Sequence, residues 1–173
     1  MKIIEEQFNL YGEPDYDTQY INWRVDDLET HMYVTFYDFT SIDDSRLKFA
    51  VILTKYNNQW IYVKHKERTT WEIPGGRREV NEAIDETARR ELYEETGAIS
   101  FSLRPLCAYS VRQDNGEESY GGFYYSEVKE IGQLPTGSEI GQVSFMKEMP
   151  KDLTYPEIQP KLYNRALQIL SLG

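Results

Sequence analysis

Short apolar or alternating runs recur along the chain at residues 32–39, 47–55, 59–65, 101–112, 120–128 and 142–146. Each is rich in Val, Ile, Tyr and Phe, side chains that fit a pleated surface, so each predicts a β-strand. Asn57-Asn58 separates the second and third runs, and Asp114-Asn115-Gly116 the fourth and fifth. Asn and Gly tolerate left-handed backbone angles, and both places predict hairpin turns.

At two places the apolar period becomes helical. Residues 82–96 carry Ile84, Ala88 and Leu92 on one stripe, with Asn81 as a candidate cap and Gly97 where a C-terminal glycine belongs. Residues 158–170 follow Pro156 and place Leu162, Ala166, Leu167, Ile169 and Leu170 on one face. Strands interrupted by a mid-chain helix and closed by another predict an α+β fold, a mixed sheet layered between helices. There is no internal repeat. Residues 1–40 read as an N-terminal arm with edge strands, and 41–173 as the main domain. Tyr11, Tyr16, Tyr20 and Trp23 in the arm are expected to pack on the parent domain or on a second copy in a homodimer.

A chain of 173 residues can bury a core without disulfides. Cys107 is the single cysteine and lies in an apolar run, so a buried structural thiol is expected. The acidic N-terminus does not resemble a secretion signal, and no stretch approaches the roughly 18 apolar residues of a membrane helix. A cytoplasmic protein is the resulting expectation. The net charge of −10 disfavours an extensive nucleic-acid footprint. It leaves room for a small phosphorylated substrate handled through a cation, because carboxylate-bound metal reverses the local charge.

The chemistry is concentrated between Gly75 and Ala98. On a helix, Glu91, Glu94 and Glu95 fall within a sector of roughly 100°. Like charges so close are destabilising unless a cation sits among them. Oxygen donors alone suit a hard ion, Mg²⁺ or Mn²⁺, rather than zinc. The alternative is a solvated acidic helix face. Arg90 lies two turns beyond Glu82, within reach of an ion pair that would fix the preceding loop.

The full spacing reads Gly76, five residues, Glu82, seven residues, then Arg90-Glu91-Leu92-x-Glu94-Glu95-x-Gly97 and Ala98. This pattern resembles the signature of the Nudix hydrolase family; a larger aliphatic is usual at the position of Ala98. The resemblance implies an α/β/α sandwich around a mixed sheet. It further implies that Glu91, Glu94, Glu95 and the Gly76 carbonyl hold Mg²⁺, with Mn²⁺ as a substitute. Glu82, Arg90 and Gly97 would be structural. The general base would be Glu91, another box acid such as Glu94, or Glu139, which stands where many relatives carry a further acid. Arg68, Arg77, Arg78 and Trp71 are candidates for binding substrate, and Tyr109, Tyr120, Phe123 and Tyr124 for flanking a base, with ordinary sheet packing as the simpler reading of these aromatics.

The reaction implied is hydrolysis of a diphosphate linkage in a nucleoside diphosphate joined to a group X. A (deoxy)nucleoside triphosphate or an oxidised nucleotide leads. ADP-ribose, nucleotide sugars and an RNA 5′ end are alternatives. Residues 113–116 read Gln-Asp-Asn-Gly, without the proline or tyrosine of the ADP-ribose and dinucleoside polyphosphate branches. A non-catalytic ligand-sensing domain is the reading from another class; such domains usually lose a box glutamate, and none is lost here.

Overall fold

The structure, a computed structural model, describes residues 31–171. Of the arm read at residues 1–40, residues 1–30 lie outside them. Seven strands form one mixed sheet in the order β1-β5-β6-β2-β3-β7, with β4 paired to β2 off this path. They are β1 (Met32–Tyr37), β2 (Leu47–Tyr56), β3 (Gln59–His65), β4 (Gly75–Arg77), β5 (Ala98–Gln113), β6 (Glu118–Ile131) and β7 (Ile140–Met146). All pairings are antiparallel except β2 with β6 at the centre.

Alternation along β2 and β3 divides the core into two layers. Ala50, Ile52, Ile61 and Val63 face helix α1 (Ile84–Thr96), whose stripe Ile84, Ala88 and Leu92 is buried as the periodicity predicts. Leu53, Trp60, Tyr62, Cys107 and Phe123 face the other way, against Leu162 and Ala166 of helix α2 (Gln159–Ser171). The sheet is therefore sandwiched between the two helices, as expected. Asn57 and Asn58 have φ of 46° and 66° in the β2–β3 turn. Cys107 is buried, and burial pushes its thiol up to about 11. Among the described residues no helix is long and apolar enough to cross a membrane.

Two local readings are corrected. Asn81 does not cap α1; it sits at φ 66° in the preceding turn, and the helix begins at Ile84 after Ala83. The exposed amides are met from elsewhere: Ala83 N–H donates to Glu86 at 2.8 Å, and Ile84 N–H to Asp44 at 3.2 Å. Asp44 is forty residues away, so a local pattern cannot show it. At the other end Gly97 adopts φ 72° and its N–H donates to the Tyr93 carbonyl, as the C-terminal glycine predicts.

The feature that builds the site is a split in the sheet. β2 pairs with β3 only at Lys55–Trp60 and Tyr56–Gln59. Residues 71–77 fill the gap: Glu72 and Val63 exchange backbone hydrogen bonds, Ile52 N–H donates to Pro74 O, and β4 runs against Phe49, Ala50 and Val51. The acidic end of α1 packs over this inserted strand.

Candidate active site

Arg90 organises the acids. Its guanidinium forks onto Glu82 with bonds of 2.8 and 2.9 Å, reaches Glu91 at 2.8 Å and Glu94 at 3.0 Å, and donates to the Arg77 carbonyl at 3.0 Å. Glu82 also accepts from Thr87 Oγ1 at 2.8 Å and Glu79 N–H at 3.1 Å. The Arg90 bond holds the Glu82 carboxyl down to about 2. Glu82 therefore stabilises the folded chain fully above the ordinary glutamate range, and that contribution disappears as pH falls toward 2. The Glu82–Arg90 pair ties the loop before α1 to the helix. Arg90→Ala should lower stability by roughly 2–4 kcal/mol, since it strands a shielded Glu82, with thermal melting as the check.

The remaining acids are in a different state. Glu91 is buried, and burial raises its carboxyl pKa, with Glu94 and Glu82 adding to the rise and Arg90 opposing it. Glu95 accepts from Gly75 N–H at 2.8 Å, yet burial, with Glu91, Glu72 and Glu94 nearby, pushes its carboxyl up to about 8. One guanidinium cannot neutralise Glu82, Glu91, Glu94 and Glu95. Among the described residues no three carboxylate, imidazole or thiolate side chains already converge as a cage. The reason is visible in the contacts: Glu91 and Glu94 lean to Arg90, and Glu95 to Gly75.

The residues nonetheless fit a hard divalent cation. All the donors are oxygens. The Glu91 carboxylate lies where a Cβ on residue 76 would be, so Gly76 is what lets that acid approach the β4 backbone. The raised Glu95 carboxyl marks a shielded acid whose ionised form lacks a positive partner.

These groups line one wall of a cleft of about 580 Å³, with Gly75, Gly76, Arg77, Glu91, Glu95 and Glu139 on it. Glu139 immediately precedes β7; its side chain is 84% exposed and lies 3.3 Å from His65 Nε2. The His65 Nδ1 accepts from Glu67 N–H at 3.2 Å, which leaves Nε2 to donate to Glu139. Arg68 also lines the cleft but is tied to Glu72. Arg77 is exposed there, and its guanidinium has no ion pair among the described residues.

Several sequence candidates fall elsewhere. Arg78 is not a free cation: it pairs with Asp44 at 2.8 Å and donates to the Glu82 carbonyl, bracing the loop before α1. Trp71 is not among the cleft-lining residues; its ring lies beneath Lys64, 4.2 Å from the ammonium. Phe123 and Tyr124 are fully buried in the core, and Tyr120 stacks under Arg46 at 4.2 Å. Of those four aromatics only Tyr109 reaches the cleft. Sequence reasoning missed Tyr155, Ile158, Gln159 and Leu162, which line the same cleft from α2 and the loop before it. Their helical period signals core packing, and nothing local distinguishes a core face from a cleft wall.

The family description NUDIX domain matches residues 44–164. A Bacillus subtilis (strain 168) protein with the provisional name 8-oxo-dGTP diphosphatase YtkD is 28% identical over 109 residues, 62% of this chain and 66% of the relative, just under two thirds of its length. A second protein of that organism, also provisionally named 8-oxo-dGTP diphosphatase, is 43% identical over 49 residues, 28% of this chain and 32% of its own. The crystal structure of a mutant of the Bacillus subtilis pyrophosphohydrolase BsRppH superposes with a TM-score of 0.67 at 21% identity, covering 80% of this chain and 91% of that one. A UDP-X diphosphatase structure gives a TM-score of 0.60 at 20% identity, covering 76% and 66%. With the family match spanning well over half of its residues, this chain belongs to the NUDIX domain family.

Proposed function

We propose that the chain is a divalent-metal-dependent pyrophosphohydrolase that cleaves the diphosphate linkage of a nucleoside diphosphate-X substrate, with a (deoxy)nucleoside triphosphate, ordinary or oxidised, as the leading class. The observation that carries the reading is the acid-rich lining of the cleft, where Glu91, Glu95 and Glu139 share one cavity with Gly76 and with Arg77, which has no ion pair among the described residues. The names of the two Bacillus relatives support the triphosphate class. Glu91, Glu94, Glu95 and the Gly76 carbonyl would hold Mg²⁺, with Mn²⁺ as a substitute. When bound, the ion supplies charge neutralisation on the phosphates and a lowered pKa for a coordinated water.

The chain's own residues do the rest. Arg77, exposed at the cleft, pairs with substrate phosphate oxygens, and Arg68 joins it if its bond to Glu72 is exchanged for one to phosphate. Glu91 is the first candidate to accept the proton of the attacking water. Glu139, 3.3 Å from His65 Nε2 at the cleft, is the second. Arg90 keeps Glu91 and Glu94 aligned on α1 while Glu82 anchors Arg90.

The test is a panel of nucleoside triphosphates including 8-oxo forms, ADP-ribose, dinucleoside polyphosphates, nucleotide sugars and 5′-triphosphate RNA, each with and without Mg²⁺. Release of a nucleoside monophosphate and pyrophosphate from a triphosphate, only with the metal, is expected. No turnover of any compound would instead indicate a ligand-sensing domain.

A further inference from the structure

Gln159 opens α2, is only 4% exposed, and lines the cleft. Its Oε1 accepts a hydrogen bond from the Ile73 N–H at 3.3 Å. That bond fixes the amide: the carbonyl end is turned to the backbone of residue 73, and the NH₂ end is turned away from it. The NH₂ makes no hydrogen bond among the described residues. It is also not among their sealed, partnerless polar atoms, which are Tyr62 Oη, Ser126 Oγ and Arg165 Nε. Gln159 itself lines the cleft, which is the open space beside this amide.

Among the described residues the surroundings give this donor no acceptor. Tyr109, Val111, Ile158 and Leu162 make the neighbouring wall largely apolar. Glu72, the acid nearest in sequence to Ile73, is taken by Arg68 and by Thr154 Oγ1 at 3.1 Å. A buried amide donor with a fixed direction and no partner is expensive in the free protein, and a ligand acceptor relieves that cost. A cleft of about 580 Å³ has room for a nucleotide.

We propose that Gln159 is the specificity-determining residue of a nucleobase subsite, its NH₂ donating to a ring carbonyl oxygen, so that the protein selects keto-bearing bases over their amino-bearing counterparts. The inference rests on the nucleotide reading given above and adds the side of the base that is read. An adenine-type edge presents an amine where a keto base presents an oxygen, and two facing donors cannot pair.

Inosine and adenosine triphosphates test this directly, because they differ at C6 in the required way. The wild type should favour the inosine nucleotide in kcat/KM by roughly tenfold or more. Gln159→Glu keeps an acceptor for the Ile73 N–H but replaces the donor with a second acceptor. Measured at about pH 9, where this buried acid is ionised, it should melt below the wild type because burial opposes its charge, and its inosine-to-adenosine ratio should fall at least tenfold. Gln159→Met removes both functions and should lose the preference together with some stability. A purely structural role would leave the ratio unmoved in Gln159→Glu, and that result overturns the inference. Calorimetric binding of inosine and adenosine monophosphates provides the same comparison without turnover. Equal cleavage and equal binding of the two bases by the wild type overturns this inference alone. Absence of cleavage with preferential inosine monophosphate binding overturns the hydrolase reading and leaves this one standing. Neither cleavage nor binding of either base overturns both.

Discussion

Glu95→Gln is expected to cut turnover by roughly a thousandfold while making the metal-free protein more heat-stable near pH 8. The two effects have one cause. Folded, the Glu95 carboxyl titrates near 8, against 4.5 for an unperturbed glutamate. Between those values the folded chain keeps a proton that the unfolded chain has released. Stability therefore falls as pH rises across that window and levels off above about 8. Gln carries no charge to bury, so the variant should show a shallower pH slope in its melting temperature. Mg²⁺ replaces the proton with a better partner, so it should raise the wild-type melting temperature more near pH 8 than near pH 5, and the variant's hardly at all. Melting curves at both pH values, with chelator and with Mg²⁺, check this. A wild-type slope identical to that of Glu95→Gln would remove the electrostatic argument.

The second large effect concerns two adjacent glycines that do different work. In Gly76→Ala the new methyl overlaps the Glu91 carboxylate, the far end of a flexible side chain. The chain can adjust by swinging Glu91 away, so folding should survive with less than about 1 kcal/mol lost. Activity should not survive, because the displaced acid can no longer meet the β4 backbone; a drop on the order of a hundredfold or more is expected. In Gly75→Ala the methyl instead meets the Ala50 carbonyl and lies 2.8 Å from Val51 Cα, from a residue at φ 156°. Backbone of a central strand does not swing aside, and a cost of about 2–4 kcal/mol is expected. Paired measurements of melting and turnover separate the cases. If Gly76→Ala retained near-wild-type activity, Glu91 would have no essential position to lose.

Much of this site can be read from the chain. The Glu82, Arg90, Glu91, Glu94 and Glu95 spacing is local to one loop and one helix, so a helical projection already places the acids together. The stripe Ile84, Ala88 and Leu92 and the turn at Asn57-Asn58 are local in the same sense, and both stand in the fold as read. What could not be read depends on distant segments meeting. Asp44 both meets the first amide of α1, the place where Asn81 reads locally as a cap, and captures Arg78, which reads locally as a free phosphate ligand. Gln159 carries no signal of its own, since a glutamine at the head of an amphipathic helix is commonplace. Only the insertion of residues 71–77 between β2 and β3 brings Ile73 to it. The dual use of α2, packing the core through Leu162 and Ala166 and walling the cleft through Ile158 and Gln159, is likewise a product of tertiary placement.

The central claim is that the acids at the end of α1 and the glycine beneath them hold a divalent cation. Titration of Mn²⁺ followed by electron paramagnetic resonance, on the wild type, Glu95→Gln and Gly76→Ala, addresses it without any assumption about substrate. Saturable binding by the wild type that weakens at least tenfold in both variants is the predicted result. Binding of equal strength in all three proteins, or none in the wild type even with a non-hydrolysable nucleoside triphosphate present, would contradict it.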